Sequence, residues 1–233
     1  MRKFIDLHLV PGDTDVSESM LNEASRLGFT GVGLTQDTGN RDSHDNNPRE
    51  DSLDIARRID LRPRNPNELT SSLRRIRRRF EIIAVECRSK PVARQAARDN
   101  RVDILNFPTQ IQGRRRVRFD RQEASLASGT NCAYEINLSD LLNKGAHVAT
   151  RLLSMMTVEI ENARRYDVPV VVSSGADEPL LVRGPRELAA SMQLLGIGEE
   201  ESLDMVSDVP WRMVERNRSK LEPGYVSPGV RRV

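Results

Sequence analysis

The sequence predicts an α/β fold, a TIM-like (β/α) barrel with additional C-terminal helices. Three observations predict it: short apolar runs alternate with amphipathic segments, some runs are apolar on both faces, and no internal repeat or low-complexity linker divides the 233 residues. Strands buried on both faces are typical of a parallel sheet that helices cover. This period and length fit a closed barrel better than an open sheet. We assign residues 1–221 to one barrel domain and residues 222–233 to a flexible tail.

The strands follow from apolar runs that polar or glycine-containing segments bound. Seven are predicted, in this order: Phe4–Leu7, Gly31–Thr35, Ile59–Leu61, Ile82–Val85, Val102–Leu105, Ala133–Ile136 and Val168–Val172. Residues 116–119 are a candidate for an eighth strand, which would complete a standard barrel.

The helices follow from apolar residues at helical spacing and from end signals. Residues 16–27 form the first helix, which ends at Gly28, and Asn65-Pro66-Asn67-Glu68 begins another with a cap, a proline and a glutamate. Further helices are predicted after Ser89, at about 120–128, at 147–166, after Gly184, at 199–206 and at 209–221. A polar loop at 36–50 has a length typical of functional or mobile loops.

Composition excludes several classes of protein. Hydrophobic residues make up 37% and charged residues 30% of the chain, which excludes a collagen and a wholly disordered chain. No apolar run reaches the roughly 18 residues of a membrane span, and the N-terminal apolar stretch is too short for a signal peptide. Because Cys87 and Cys132 are too few for a disulfide framework, we expect a reducing, cytoplasmic location.

Positive charge is concentrated in one block, residues 57–118. This block contains 18 basic and six acidic residues, although the whole chain has a formal net charge of only +2. Arginines this dense repel one another, and a polyanion would offset that repulsion through counterion release. The block therefore predicts a polyanion partner, and a barrel whose arginines only face solvent is the alternative.

Polar side chains follow most of the predicted strands, at the end of a barrel where functional residues lie. They are His8, Thr35, Gln36, Asp37, Arg62, Glu86, Cys87, Arg88, Asn106, Asn137, Ser173 and Ser174. Asp6-Leu7-His8 occupies the place where polymerase-and-histidinol-phosphatase barrels begin a metal cluster with His-x-His. The chain has only three histidines, and a metal phosphoesterase needs more ligands. We therefore expect no metal site and no catalytic residue, with Asp6 and His8 hydrogen-bonded in the barrel mouth instead.

An ordered series of segments resembles the archaeal ribonuclease P protein component 3 family. It runs from Phe4-Ile5-Asp6-Leu7-His8 through Val85-Glu86-Cys87-Arg88-Ser89, Val102–Pro108 and Ala133–Leu138 to Val170–Ala176. The match continues to about Gly196 and so covers most of the chain. The resemblance implies a TIM-barrel-like fold related to the polymerase-and-histidinol-phosphatase barrels, without their metal site.

The resemblance also implies a function. The chain would be a protein subunit of ribonuclease P, the ribonucleoprotein endonuclease that removes the 5′ leader from precursor tRNA. It would bind and stabilise the catalytic RNA, whose Mg²⁺ ions would support hydrolysis, so the chain alone would hold no cofactor and cleave nothing. The implied partners are ribonuclease P RNA, precursor tRNA, protein component 2 and other protein subunits, with no membrane. An autonomous metal-dependent phosphoesterase of the polymerase-and-histidinol-phosphatase barrel type is the alternative.

We place the RNA contacts on the basic block. The candidates are Arg74, Arg75, Arg77, Arg78, Arg79, Arg88, Lys90, Arg114, Arg115, Arg116 and Arg118. Leu69, Leu73 and Ile76 recur at helical spacing and must face the barrel, so most arginines at 74–79 are expected to point outward. Residues 113–118 are predicted to be a basic loop that follows an RNA surface.

Overall fold

Seven parallel strands form one sheet whose order is the order along the chain. The computed structural model describes residues 2–36, 53–142, 144–222, 225–227 and 230–231, so most of the predicted loop at 36–50 lies outside the described residues. The strands are Ile5–Leu9 (β1), Gly31–Thr35 (β2), Asp54–Leu61 (β3), Ile82–Glu86 (β4), Ile104–Asn106 (β5), Ala133–Asn137 (β6) and Val170–Ser173 (β7). The predicted barrel class is therefore confirmed, and its sheet has seven strands among the described residues.

Helices follow most of the strands and cover the outside of the sheet. They are Thr14–Arg26 (α1), Pro66–Ile76 (α2), Lys90–Ala97 (α3), Ile111–Arg116 (α4), Arg121–Ala127 (α5), Ser139–Leu142 (α6), Ala146–Arg165 (α7), Pro185–Gln193 (α8), Glu199–Asp204 (α9) and Asp208–Leu221 (α10). Within the described ranges, no helix is both long and apolar enough to cross a membrane. The expected loose tail contains a short antiparallel pair, Tyr225–Ser227 (β8) with Val230–Arg231 (β9).

Local signals in the sequence set the helix ends. The side chain of Asn65 accepts a hydrogen bond of 2.9 Å from the Glu68 N–H and caps α2, as predicted. Gly28 follows α1 with a φ of 92°, a left-handed conformation that favours glycine and stops the helix. Both capping predictions are therefore confirmed.

The candidate eighth strand at 116–119 is wrong, because residues 111–116 are helical. The alternating apolar residues Val117 and Phe119 are instead buried parts of the connection between α4 and α5. The Phe119 ring stacks on Tyr134 with centroids 5.1 Å apart. Two buried apolar residues that are two positions apart in a connecting segment thus give the same alternating sequence pattern as a short strand.

In the part of the chain that the structure describes, a turn near the C-terminus lies where a standard barrel has its eighth strand. The Ile5 N–H donates to the Val206 carbonyl at 3.0 Å, and the Val172 N–H donates to the Met205 carbonyl at 3.1 Å. Farther along, the Val10 N–H donates to the Ala176 carbonyl at 2.8 Å, which links β1 directly to the end of β7. The gap between the first and last strands is therefore closed by main-chain hydrogen bonds.

The barrel interior is a small apolar core that α10 closes at one end. Its buried residues from the strands are Ile5, Leu7, Ala56, Ile82, Ala84, Ile104, Ala133 and Val171. Met213 and Val214 of α10 pack onto them. Asn217 donates to the Glu81 carbonyl at 2.8 Å and to the Asp103 carboxylate at 2.7 Å, and these two residues precede β4 and β5. Helix α10 therefore covers the amino ends of the strands and leaves their carboxyl ends for polar residues.

Candidate nucleic-acid interface

A buried network of charged side chains fills the barrel near the carboxyl ends of the strands. Its centre is Arg58 on β3, which is fully buried. The guanidinium donates to both carboxylate oxygens of Glu135 on β6, at 2.7 and 2.6 Å, to Asp60 at 2.8 Å and to the Leu7 carbonyl at 2.9 Å. Paired and hydrogen-bonded in this way, buried charges are tolerated inside a protein.

His8 extends this network to the barrel mouth. Its Nε2 lies 2.8 Å from an Asp60 oxygen, and its Nδ1 lies 2.8 Å from the Asn137 side-chain oxygen. Glu135 also accepts hydrogen bonds from Ser173 at 2.7 Å and from Asn106 at 3.0 Å. Side chains from five strands therefore meet in one set of contacts.

The network shifts the titration of its members. Burial and the charge of Arg58 would lower the pKa of His8, but the carboxylates of Asp60 and Glu135 outweigh them and raise it. Burial would raise the pKa of Asp60, but Arg58 and His8 hold it well below its usual range. Both shifts favour the charged forms and so strengthen the ion pairs.

Asp6 is buried beside this network and links two strands that are distant in sequence. Its Oδ1 accepts hydrogen bonds of 3.1 Å from the N–H groups of His8 and Ser174. Burial raises the pKa of Asp6 to about 6, against an ordinary value of 3.8, although these hydrogen bonds oppose the rise. The expectation that Asp6 and His8 are hydrogen-bonded in the barrel mouth is confirmed.

This geometry favours a structural role for the barrel mouth. Metal ligands need free lone pairs that converge on one point, whereas the guanidinium of Arg58 already takes both oxygens of Glu135 and one of Asp60. In the described ranges no group of three or more histidine, cysteine or acidic side chains could hold a metal ion. The lack of a metal site and of catalytic residues nevertheless stays a prediction.

Sequence reasoning missed the three central residues of the network. Arg58, Asp60 and Glu135 were not among the candidates, although Glu135 is a carboxylate within the apolar run Ala133–Ile136. A carboxylate in a strand that is covered on both faces requires a buried cation as its partner. Arg58 and Asp60 are two residues apart in β3, so their side chains lie on the same face of the strand. Cys87 and Cys132, by contrast, are buried as small side chains, and burial raises the pKa of Cys132 to about 12.

The arginines at 74–79 are only partly available to a partner. Arg74, Arg75 and Arg78 are exposed and form no ion pair within the described ranges. Arg77 instead donates to the Asp103 carboxylate at 2.7 Å and is mostly buried, while Arg79 lies over the Phe80 ring at 5.7 Å. The outward orientation holds for three of the five, and the expectation of a free Arg77 is wrong.

Arg114 must be removed from the predicted RNA contacts. Its side chain is 2% exposed and donates to both oxygens of Glu159, at 3.0 and 2.5 Å. It also donates to the Pro108 carbonyl at 3.1 Å and to the Tyr134 hydroxyl at 2.5 Å. The predicted basic loop is mainly α4, and the helical turn directs Arg114 inward while Arg115 and Arg116 stay exposed.

The remaining candidates are exposed, and some have acidic neighbours. Arg118 makes no ion pair within the described part of the chain. Arg88 pairs with Glu86 through two hydrogen bonds of 2.9 and 3.0 Å, and Lys90 lies 3.1 Å from Asp120. Neither exposed pair is a strong one, so both cations can exchange their carboxylate for a phosphate.

The basic block is continuous in sequence but divided in space. The exposed Arg74, Arg75 and Arg78 lie at the end of α2, where the contact of Arg77 with Asp103 marks the amino ends of the strands. Arg88 follows β4 and Lys90 begins α3, which places both toward the carboxyl ends. A partner that touches both groups must span the barrel, so the structure offers two separate basic surfaces.

The fold and the surface define a class: a seven-stranded (β/α) barrel with an ion-paired interior and an arginine-rich exterior. A model of the family described as RNase P subunit p30 matches residues 3–222, and the chain belongs to that family. The resemblance noted in the sequence is thereby confirmed.

Curated relatives agree with this assignment. Ribonuclease P protein component 3 of Methanosarcina mazei is 31% identical over 231 residues, which cover 96% of this chain and 92% of the relative. The protein of the same description from Methanosarcina barkeri is 30% identical, with 98% and 95% covered. The similarity therefore extends over nearly the full length of both chains.

Solved structures show the same fold. A chain in a cryo-EM structure of archaeal ribonuclease P with mature tRNA matches with a TM-score of 0.80 and 22% identity, covering 98% of this chain and 97% of that one. Ochratoxinase of A. niger matches with a TM-score of 0.58 and 12% identity, covering 91% and 71%. At these identities the likeness shows the barrel fold alone.

Proposed function

We propose that this chain, a protein subunit of ribonuclease P, binds and stabilises the catalytic RNA of that complex through its exposed arginines. Ribonuclease P removes the 5′ leader from precursor tRNA, and catalysis belongs to the complex. The observation that carries the proposal is a set of basic-block arginines that are exposed and have no ion pair within the described ranges. Those among the predicted contacts are Arg74, Arg75, Arg78, Arg115, Arg116 and Arg118.

Free guanidinium groups are suited to RNA. Each is a planar fork that binds phosphate oxygens through two hydrogen bonds, and it can also stack on bases. Neutralising phosphates releases counterions and reduces the repulsion between RNA segments that must fold together. The protein would therefore act by charge, without chemistry of its own.

In this proposal the Mg²⁺ ions that support hydrolysis are held by the RNA. The acidic side chains that could attract a cation in the barrel mouth, Asp60 and Glu135, are already paired with Arg58. The proposal also includes a cytoplasmic location, because the reducing conditions there would keep Cys87 and Cys132 as free thiols.

Reconstitution tests the proposal directly. Cognate RNA and the other protein subunits are assembled with and without this chain, and 5′-leader cleavage of precursor tRNA is measured at several Mg²⁺ concentrations. We expect the chain to raise the cleavage rate most at low Mg²⁺, where charge neutralisation by protein matters most. Equal rates at every Mg²⁺ concentration, with and without the chain, would refute the proposal.

The protein partner we propose is ribonuclease P protein component 2. Because the relatives are described as protein component 3 of ribonuclease P, they support a role within an assembly, and component 2 is the partner that the family resemblance implies. Co-expression followed by gel filtration at physiological salt should give a joint peak that elutes before either protein alone. Separate elution at micromolar concentration would contradict this pairing.

A further inference from the structure

A polar groove on the outside of the barrel collects five basic side chains from separate parts of the chain. It lies where α3, α5 and α7 pack together, and its volume is about 720 Å³. The basic residues that line it are Lys90, Arg94, Arg118, Arg121 and Arg165. Three of them, Arg94, Arg121 and Arg165, are not in the set predicted from sequence.

Three of these cations have no partner within the described ranges. Arg118, Arg121 and Arg165 are exposed and form no ion pair there. The two acidic residues that line the groove, Asp120 and Glu161, are fewer than its cations, and Asp120 is already shared with Lys90. The groove therefore keeps an excess of positive charge for a ligand from outside.

A buried acid next to one lining residue, Arg94, neutralises that cation only weakly. Glu123 is fully buried, and neither of its carboxylate oxygens has a hydrogen-bond partner among the described residues. Its nearest cation, Arg94, is 3.7 Å away, too far for a hydrogen bond. Burial, together with the neighbouring Asp120 carboxylate, raises the pKa of Glu123 to about 7. Near neutral pH its charge is thus partly lost, and Arg94 stays available to an anion.

The lining distinguishes RNA from a protein partner. Protein interfaces have an apolar, often aromatic centre, whereas the lining of this groove includes one apolar side chain, Val158, and no aromatic ring. Without aromatic rings the groove lacks the base-stacking platform of single-strand binders. Spaced guanidinium groups beside the amides of Gln122 and Asn162 suit phosphate and ribose oxygens.

We propose that this groove holds the ribose–phosphate backbone of folded RNA, with Arg118, Arg121 and Arg165 as its phosphate contacts. This inference rests on the proposed function and extends its set of RNA contacts with Arg121 and Arg165. We expect the groove to read no sequence, because its lining suits backbone oxygens and contains no aromatic ring.

The test measures the affinity of the full-length chain for ribonuclease P RNA over a salt series, by fluorescence anisotropy. Each phosphate contact contributes roughly 0.7–0.9 to the slope of log affinity against log salt. The triple variant Arg118→Gln, Arg121→Gln, Arg165→Gln should therefore flatten the slope by about two. All three side chains are exposed, so the thermal midpoint should not change.

A matched control removes the same charge elsewhere. Lys3, Arg186 and Arg212 are exposed and lie outside both the groove and residues 57–118, and their triple glutamine variant should keep the wild-type slope. An unchanged slope in the groove variant, or equal flattening in the control, would overturn the inference while wild-type binding upholds the proposed function. Loss of component 2 binding with an unchanged RNA slope would assign the groove to a protein and also overturn it. Failure of the wild-type chain to bind the RNA would overturn both.

Discussion

Arg58 and Glu135 face each other inside the barrel through two hydrogen bonds of 2.7 and 2.6 Å, and neither side chain is exposed to solvent. They belong to strands that are three apart in the sheet. The pair therefore crosses the interior and ties opposite walls together. The guanidinium of Arg58 is thus a cation of the chain itself that lies between the carboxylates of the barrel mouth, Asp60 and Glu135.

Removing this cation should destabilise the fold. Arg58→Met leaves Glu135 and Asp60 buried without their counterion, and breaking a buried pair costs about 3–5 kcal/mol. Urea unfolding should show this loss, while Arg62→Met, on an exposed side chain, should change stability by less than about 0.5 kcal/mol. The double variant Arg58→Met, Glu135→Leu should recover part of the loss, because no unpaired charge remains at Glu135. Wild-type stability in Arg58→Met would show that the pair is not essential.

Asp6 should make stability depend on pH. The pKa of Asp6 is about 6 in the folded chain and near 3.8 in the unfolded chain, so the folded state holds this proton more tightly. Stability from this group is present at low pH and is lost as the pH rises to about 6. Asp6→Asn should therefore stabilise the protein at about pH 8, by up to roughly 3 kcal/mol, and have little effect near pH 4.

Thermal unfolding across this pH range measures the effect. Asp177→Asn, on an exposed acid, is the control and should show no such pH dependence. A stability difference between Asp6→Asn and wild type that is constant from pH 4 to pH 8 would contradict the assigned pKa.

Arg114 and Arg115 should behave oppositely despite being neighbours. Arg114→Met leaves Glu159 buried without its cation and should cost roughly 3–5 kcal/mol of stability, whereas Arg115→Met should cost less than about 0.5 kcal/mol. Arg114→Met protein that remains folded should bind RNA with an unchanged salt slope, since Arg114 is buried. Equal stability of the two variants would show that the ion pair with Glu159 contributes little.

The isolated chain should have no hydrolytic activity. Highly purified protein should neither cleave precursor tRNA in Mg²⁺ nor hydrolyse a phosphate monoester in Mn²⁺, because Arg58 engages the carboxylates that a metal would need. The variant His8→Ala is the control for a contaminating enzyme, because a contaminant's activity would be the same in both protein samples. Turnover that requires Mn²⁺ and disappears in His8→Ala would support the metal phosphoesterase alternative.

The strands were predictable where they are purely apolar and less so where they carry charge. The predicted strand Ile82–Val85 covers all of β4 except its last residue. The predicted strand Ile59–Leu61 covers only the last three residues of β3, because Arg57 and Arg58 interrupt the apolar run. These charges are stable in a strand only because Glu81, Glu135 and Asp60 face them from other positions in the chain. Pairings between distant residues cannot be read from local patterns.

The arginine cluster at 114–118 illustrates the same limit. Consecutive arginines look equivalent in a sequence, but residues in a helix point about 100° apart around its axis. One arginine of α4 therefore meets the buried Glu159 while its neighbours remain in solvent. Likewise α10 was predicted as a helix from its spacing, but its position across the end of the barrel depends on contacts with residues more than a hundred positions away.

Closure of the barrel by residues 205–206 sets the order in which the molecule can fold during translation. β1 leaves the ribosome first, but the N–H of Ile5 on its edge finds its hydrogen-bond partner only when a turn some 200 residues later has been made. The contact between Arg2 and Asp204, 202 positions apart, shows the same distance along the chain. Until then the edges of β1 and β7 are open to pairing with other chains. The nascent protein is thus committed to late closure, and chaperones or early assembly with RNA would act on it within that interval.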